Sequence, residues 1–203
     1  SRPFELRLAL PIMASAAARL GRQEPVQFVV FLSPYASREA LARALEAVAE
    51  EADVAGHDGA AAECARALDA VFPPGGGELG ARVALSTAEG PVTLMFWRGG
   101  SRAAMAAADL ALTVPGSNTA ELAAWGVPMV VCMPLHRPEE IPLDGVSGYL
   151  DRIPGIGRKL KVRAVLSALQ RAKFVALPNQ IAQEAIVPEL ISPRLSPHDV
   201  ARE

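Results

Sequence analysis

The sequence predicts an α/β fold built on a doubly wound parallel sheet, with helices on both faces of the sheet. Segments of strand length alternate with segments of helical spacing along most of the chain, and short connections join them. Several strand segments are almost continuously apolar, as in strands that are covered on both faces. The 203 residues, 51% of them hydrophobic and 21% charged, suffice for one domain with a buried core.

Helical spacing and capping residues place the elements of the first half. The pattern predicts a helix over residues 4–20, a strand over 26–32, helices over 37–52 and 58–71, and a loop over 73–77. Gly21 ends the first helix, and Ser37 is placed to cap the second. The run Pro-Pro-Gly-Gly-Gly then interrupts all regular structure.

The second half repeats the alternation with shorter elements. We predict strands over residues 82–86, 92–97, 110–114, 128–133 and 174–177, a turn at 89–91, and helices over 101–108, 117–125 and 181–191. A Pro- and Gly-rich, then helical, insertion over residues 134–172 separates the last strand from the others. All 203 residues therefore form a single predicted domain with one irregular insertion.

Composition excludes several function classes. A formal net charge of −2 gives no global footprint for nucleic acid, and we expect no nucleic-acid partner. Two cysteines exclude a disulfide framework and a cysteine-rich zinc module, and their apolar surroundings favour buried thiols in a reducing, cytoplasmic compartment. No apolar run approaches the roughly 18 residues of a membrane span. The start at Ser1-Arg2 shows no signal peptide and indicates a fragment of a longer protein.

The insertion concentrates positive charge. Between residues 145 and 175 seven basic residues face one acid, Asp151, a local net charge of +6. A basic amphipathic segment is suited to acidic lipid headgroups or sugar phosphates. The candidate contacts to a membrane or an acceptor are Arg158, Lys159, Lys161 and Arg163. A solvated charged helix is the alternative.

Three segments combine a strand end with a helix start, where parallel sheets bind ligands and free N–H groups hold anions. They are Ser1-Arg2, residues 114–121 and residues 177–180. Arg2 could pair with a phosphate, and Gly116 lets the backbone approach one. The candidate binding residues are Arg2, Gly116, Ser117, Asn118, Thr119, Glu121, Asn179 and Gln180.

Each candidate also has a purely structural interpretation. Ser117, Asn118 or Asn179 could serve only as a helix N-cap. Glu121 could accept hydrogen bonds from ribose hydroxyls, or it could be only an acid in the first turn that faces the helix dipole. The three histidines lack a nucleophile or carboxylate at motif spacing. Glycines 99 and 100 form no complete dinucleotide fingerprint. We expect no cofactor and no metal, and the sequence leaves the catalytic base unknown.

Two motifs together carry a family resemblance. Residues 107–117 (AADLALTVPGS), with Glu121 and residues 126–131 (GVPMVV), resemble the nucleotide-sugar half of GT-B glycosyltransferases. Residues 174–182 (FVALPNQIA) and 187–190 (VPEL) resemble lipid-A-disaccharide synthase within that group. Ser1-Arg2 stand where the Gly-Ser-Arg loop of that family ends. The resemblance covers nearly the whole chain, and Ser117 replaces the family's more usual threonine.

The resemblance implies one half of a GT-B fold, made of two Rossmann-like domains of which this chain is the C-terminal one. It implies transfer of an acylated glucosamine from a UDP-sugar to an acylated sugar-phosphate acceptor at the cytoplasmic face of the membrane, without a metal. Arg2, Ser117, Glu121 and Asn179 become the nucleotide contacts. The N-terminal acceptor domain of the family is absent, so we expect the chain alone to be inactive.

Other functions remain open. A GT-B enzyme could use another UDP-sugar and an acceptor unrelated to lipid A. A UDP-sugar epimerase of the same architecture needs further acids and histidines around the nucleotide, which the sequence does not offer. A non-catalytic α/β module that binds a nucleotide or a protein is the alternative from another class.

Overall fold

Helices and strands alternate along most of the chain, except where two helices follow each other between residues 38 and 71 and two strands between residues 80 and 98. A computed structural model describes residues 3–33, 35–73, 80–99, 102–137, 162–163, 167 and 172–203. Its elements are α1 (Pro3–Gly21), β1 (Phe28–Leu32), α2 (Arg38–Val54), α3 (Ala60–Val71), β2 (Gly80–Thr87), β3 (Gly90–Arg98), α4 (Arg102–Ala106), β4 (Ala111–Thr113), α5 (Ser117–Ala124), β5 (Met129–Pro134), α6 (Leu177–Ala182), β6 (Glu189–Ser192) and α7 (Pro197–Arg202). The predicted α/β class is confirmed, and most predicted elements of the first half lie within a few residues of their expected bounds.

The first sheet is mixed, with strand order β1-β3-β2. β1 runs parallel to β3, and β2 runs antiparallel to it through a tight hairpin turn at Ala88 and Glu89. Gly90 therefore begins β3 instead of belonging to the turn, and the fully buried Thr87 hydroxyl donates to its carbonyl at 2.8 Å. The hairpin departs from an all-parallel sheet, because a two-residue connection can join only antiparallel strands.

The second sheet is parallel throughout, with strand order β4-β5-β6. Its central strand, β5, is buried on both faces, as its apolar sequence predicts. Val130 and Cys132 pack with α1 and α7 on one face, while Met129 and Val131 pack with α5 on the other. The alternation of side chains along β5 thus divides the second half into two apolar clusters.

α1 belongs to the cores of both sheets. Leu6 and Leu10 lie in the large cluster formed with α2, α3 and the first sheet. Ile12 and Ala16 lie in the cluster formed with β5 and α7. One helix thus packs against both sheets.

Two strand predictions are wrong. β1 is not covered on both faces, since it is an edge strand among the described strands and Val29 is 39% exposed. Residues 174–177 are not a strand, because the Glu189 carboxylate rather than a neighbouring strand accepts from the N–H groups of Val175 and Ala176. Residues 181–191 were predicted to form a helix and do not: α6 ends at Ala182, and β6 begins at Glu189.

Backbone conformation explains why that last helix stops early. Gln183 follows α6 with φ of +56°, the left-handed conformation that ends helices. Pro188 then excludes a continuing helix, because its ring lacks an N–H and clashes with the preceding turn. The last helix of the chain is α7, which a capping box between Ser196 and Asp199 begins.

The two cysteines are buried in separate cores. Burial raises the pKa of the Cys64 thiol to about 11 and that of Cys132 to about 12.

We expect neither cysteine to react with a water-soluble disulfide reagent at about pH 8 in the native state, whereas both react in denaturant. In the folded chain the thiols stay protonated above the pH at which they ionise in the unfolded chain. The free energy of unfolding therefore falls as the pH rises from the pKa of the unfolded thiols to their raised pKa in the folded chain. Rapid labelling of native protein would contradict this expectation.

Candidate functional site

The connection from β4 to α5 leaves the start of α5 without a side-chain cap. Gly116 is the N-cap residue, and no side-chain oxygen in the described structure accepts from this helix start. Ser117 is the first helical residue and is exposed. The Asn118 amide instead turns back and donates to the Thr113 hydroxyl and to the Val114 carbonyl. The interpretation of Ser117 or Asn118 as an N-cap is therefore wrong.

Thr119 ties α5 to the start of α6. Its side chain is fully buried, its hydroxyl donates to the Gly116 carbonyl at 2.7 Å, and the same oxygen accepts from the Leu177 N–H at 3.2 Å. Two of the three predicted segments, residues 114–121 and 177–180, therefore lie side by side. The third, Ser1-Arg2, lies outside the described residues.

Asn179 is fully buried, and its amide uses its entire hydrogen-bonding capacity within the chain. The nitrogen donates to the Val187 carbonyl at 2.9 Å and to Glu189 Oε1 at 2.8 Å. The oxygen accepts from the N–H groups of Ile186 and Val187, both at 2.9 Å. An amide has two donors and two acceptor lone pairs, so none is left for a ligand in this arrangement. Asn179 is also not the N-cap of α6, which is Ala176.

Glu189 belongs to the hydrogen-bond network around α6, and the sequence analysis did not include it among the candidate residues. Its carboxylate accepts from the N–H groups of Val175 and Ala176 at 2.9 to 3.1 Å and from Asn179. These bonds fix the backbone just before α6 against the first residue of β6. A single acid at the start of an apolar Leu-Ile pair was the available signal in the sequence.

Gln180 is exposed, unlike its neighbour Asn179. Its side-chain nitrogen donates to the carbonyl oxygens of Phe174 and Val175 at 3.2 and 3.1 Å. These bonds close the turn that leads into α6. The Gln180 side chain lies at the surface, where a ligand could reach it.

An open groove of about 370 Å³ lies between α4 and α5. Its polar groups are Arg102 and Glu121, whose side chains approach each other to 3.7 Å. Trp125 and small alanine side chains of both helices form the rest of the lining. Both charged side chains remain solvent-accessible, so a guanidinium and a carboxylate are presented together beside an indole ring. The sequence prediction included Glu121 and missed Arg102 and Trp125.

Helix geometry relates the groove to the start of α5. Ser117 and Glu121 are four residues apart and share one face of the helix. The rise between them is about 6 Å. In the described part of the chain no side chain caps the first N–H groups of α5, so an anionic group there and a hydroxyl-bearing group at Glu121 could belong to one small ligand.

Of the basic residues predicted to contact a membrane or an acceptor, Arg158, Lys159 and Lys161 lie outside the described residues. Arg163 is described and is exposed. Across the described helices, none is both long enough and apolar enough to pass through a bilayer. Within the same residues, no three His, Cys, Asp or Glu side chains are grouped so as to hold a metal ion.

Comparison with models of protein families, with curated proteins and with solved structures found no match to this chain.

Proposed function

We propose that this chain is the donor-binding half of a glycosyltransferase that resembles lipid-A-disaccharide synthase. In this proposal it holds a UDP-sugar whose acylated glucosamine passes to an acylated sugar-phosphate acceptor. A GT-B enzyme of other specificity shares the same donor site. The observation that carries the proposal is the start of α5, which no described side chain caps and which lies one turn from Glu121 and its partner Arg102.

The chemistry expected of such a site is stabilisation of the leaving group. Cleavage of the sugar–phosphate bond builds negative charge on UDP, and N–H groups at a helix start carry the partial positive charge to meet it. One well-placed donor of this kind contributes about 2.7–4 kcal/mol to transition-state stabilisation. The guanidinium of Arg102, at the same groove, is a further donor for phosphate oxygens in this proposal, in addition to Arg2, which the resemblance implies.

Recognition of the nucleoside would fall to the groove. The Glu121 carboxylate can accept hydrogen bonds from two ribose hydroxyls, and the Trp125 ring offers an apolar surface to a base. Thr119, Asn179 and Glu189 then act as positioning residues, since their polar atoms hold α5, α6 and β6 together.

The binding site for the acceptor and the catalytic base that deprotonates its hydroxyl would come from an N-terminal domain, so the isolated chain is expected to be inactive. The basic insertion, including Arg163, would meet acidic headgroups or the sugar phosphate at the cytoplasmic face of the membrane. A non-catalytic nucleotide-binding module would use the same groove without an acceptor domain.

Calorimetric titration with UDP tests the donor site. We expect binding by the chain and at least about tenfold weaker binding by Glu121→Ala and by Arg102→Ala, because each removes a charge-assisted contact. The matched control is Asp69→Ala, which removes the partner of Arg38 from a similarly exposed ion pair between α2 and α3. Its affinity for UDP should equal that of the unchanged chain.

The two contrary results have different meanings. Equal affinity in Glu121→Ala, Arg102→Ala and the control would place the nucleotide outside the groove. Absence of UDP binding by the unchanged chain would contradict a donor site that this domain forms by itself. If UDP binds as expected, competition by a series of UDP-sugars would separate the lipid-A-like specificity from other GT-B specificities.

A further inference from the structure

The two sheets each end in a parallel strand with a free edge. Among the described strands, β1 pairs only with β3 and β4 pairs only with β5. β1 and β4 are not hydrogen-bonded to each other. Each therefore has one row of backbone N–H and C=O groups that no described strand satisfies.

α1 packs against both sheets and thereby relates these two edges. It contacts β3, the neighbour of β1, and β5, the neighbour of β4. An open doubly wound sheet has the strand order 3-2-1-4-5-6, in which strand 1 lies between strand 2 of its own half and strand 4 of the other half. Here β3 and β1 fit the positions of strands 3 and 2, and β4, β5 and β6 fit strands 4, 5 and 6. Only the position of strand 1, between β1 and β4, has no described occupant.

The side chains at these edges indicate what kind of strand fits. β1 reads Phe-Val-Val-Phe-Leu and carries none of the charges or prolines that protect natural edge strands. Val29 is 39% exposed in β1, and Leu110, just before β4, is 53% exposed. A strand buried at the centre of a parallel sheet is rich in Val, Ile and Leu. The occupant should therefore be extended, apolar and β-branched.

We infer that the space between β1 and β4 takes one such strand, joined by a short connection to the start of α1, which makes the two sheets one. A strand joined to β1 through α1 would complete a β-α-β unit, in which the two strands run parallel and the crossover is right-handed. The inference rests on the two edges and on the packing of α1, not on the proposed function. Ligands of such sheets bind where the strand order reverses, so the added strand would also wall the crevice beside residues 114–119.

Hydrogen exchange on an extended chain tests this inference. The extension Thr-Val-Val-Ile-Leu-Val-Gly is placed before Ser1, and its control has the central Val-Ile pair replaced by Pro-Asp. We expect amide exchange over β1 and over β4 to slow by about tenfold or more in the strand extension, with a higher Tm, and neither change in the control. The free peptide, added in excess to the unextended chain, should slow exchange in the same two strands.

Four results would overturn the inference. Equal exchange in the two extended chains would show that no strand is accommodated. Slower exchange at β1 alone, or at β4 alone, would show pairing at a single edge. Strong protection of both edges in the unextended chain would show that the chain already covers them. Protection that rises with protein concentration would assign the position to a second copy.

Discussion

Replacing Asn179 by alanine should lower the free energy of unfolding by about 2–4 kcal/mol. The substitution leaves the N–H groups of Ile186 and Val187 and the Val187 carbonyl without their side-chain partner. Glu189 Oε1 loses one donor and keeps the N–H groups of Val175 and Ala176. Each unsatisfied buried group carries its own desolvation cost, and partial access of water limits the sum. Urea unfolding followed by circular dichroism measures the change.

Gln180→Ala is the matched control for this experiment. Gln180 is the next residue in α6 and also donates to two backbone carbonyls, but it does so at the surface, where water can replace it. Its loss should cost less than about 1 kcal/mol. Equal destabilisation by the two substitutions would refute the assignment of Asn179 as the centre of a buried network.

The same pair of variants tests whether Asn179 contacts a nucleotide. The family resemblance implies a direct contact, whereas the structure has all four hydrogen-bonding positions of the amide occupied by the chain. If Asn179 only positions α6, its substitution should lower the free energy of unfolding and should change UDP affinity only as far as α6 moves. A direct contact would weaken UDP binding in the folded protein even where the fold is preserved.

Phe96→Ala has the largest expected effect in the first half of the chain. Phe96 is fully buried in β3, the central strand of the mixed sheet, and belongs to the cluster with α1, α2 and α3. Removing a buried phenyl ring loses its transfer free energy and leaves a cavity, at a typical cost of about 3–5 kcal/mol. Thermal and urea denaturation should both show the loss.

Phe31→Ala provides the comparison for Phe96→Ala. Phe31 carries the same ring on the adjacent edge strand, next to Trp97 in the register, but it is only half-buried. We expect its substitution to cost less than half as much, because little cavity forms at a partly solvated position. If the two substitutions cost the same, the centre of the first core does not lie at β3.

Local sequence signals predict those parts of the fold that neighbouring residues determine. Ser37 was predicted as a cap from sequence alone, and its hydroxyl accepts from the Ala40 N–H at 3.2 Å. The burial of β5 likewise follows from its unbroken apolar run. In both cases the atoms that interact lie within a few residues of each other or share one strand.

The errors arise where residues far apart in sequence compete for the same backbone groups. Residues 174–177 have strand-like composition, but the carboxylate of Glu189, more than ten residues later, accepts from the N–H groups of Val175 and Ala176. The partners of Asn179 lie seven to ten residues later, so Asn179 is interpreted as a cap or a ligand contact when only its own segment is considered. Of the two described segments predicted to follow a strand, residues 114–121 follow β4 and residues 177–180 follow no strand. Which polar atoms of these segments remain free depends on such distant pairs.

The packing of α1 has a consequence for folding during synthesis. Leu6 and Leu10 find their partners in α2 and the first sheet soon after these emerge, whereas Ile12 and Ala16 await β5, about 120 residues further along the chain. At about 5–20 residues per second, this delay on the ribosome is on the order of 10 s. During that interval the first half can assemble with one apolar side of its leading helix still exposed to water and to chaperones.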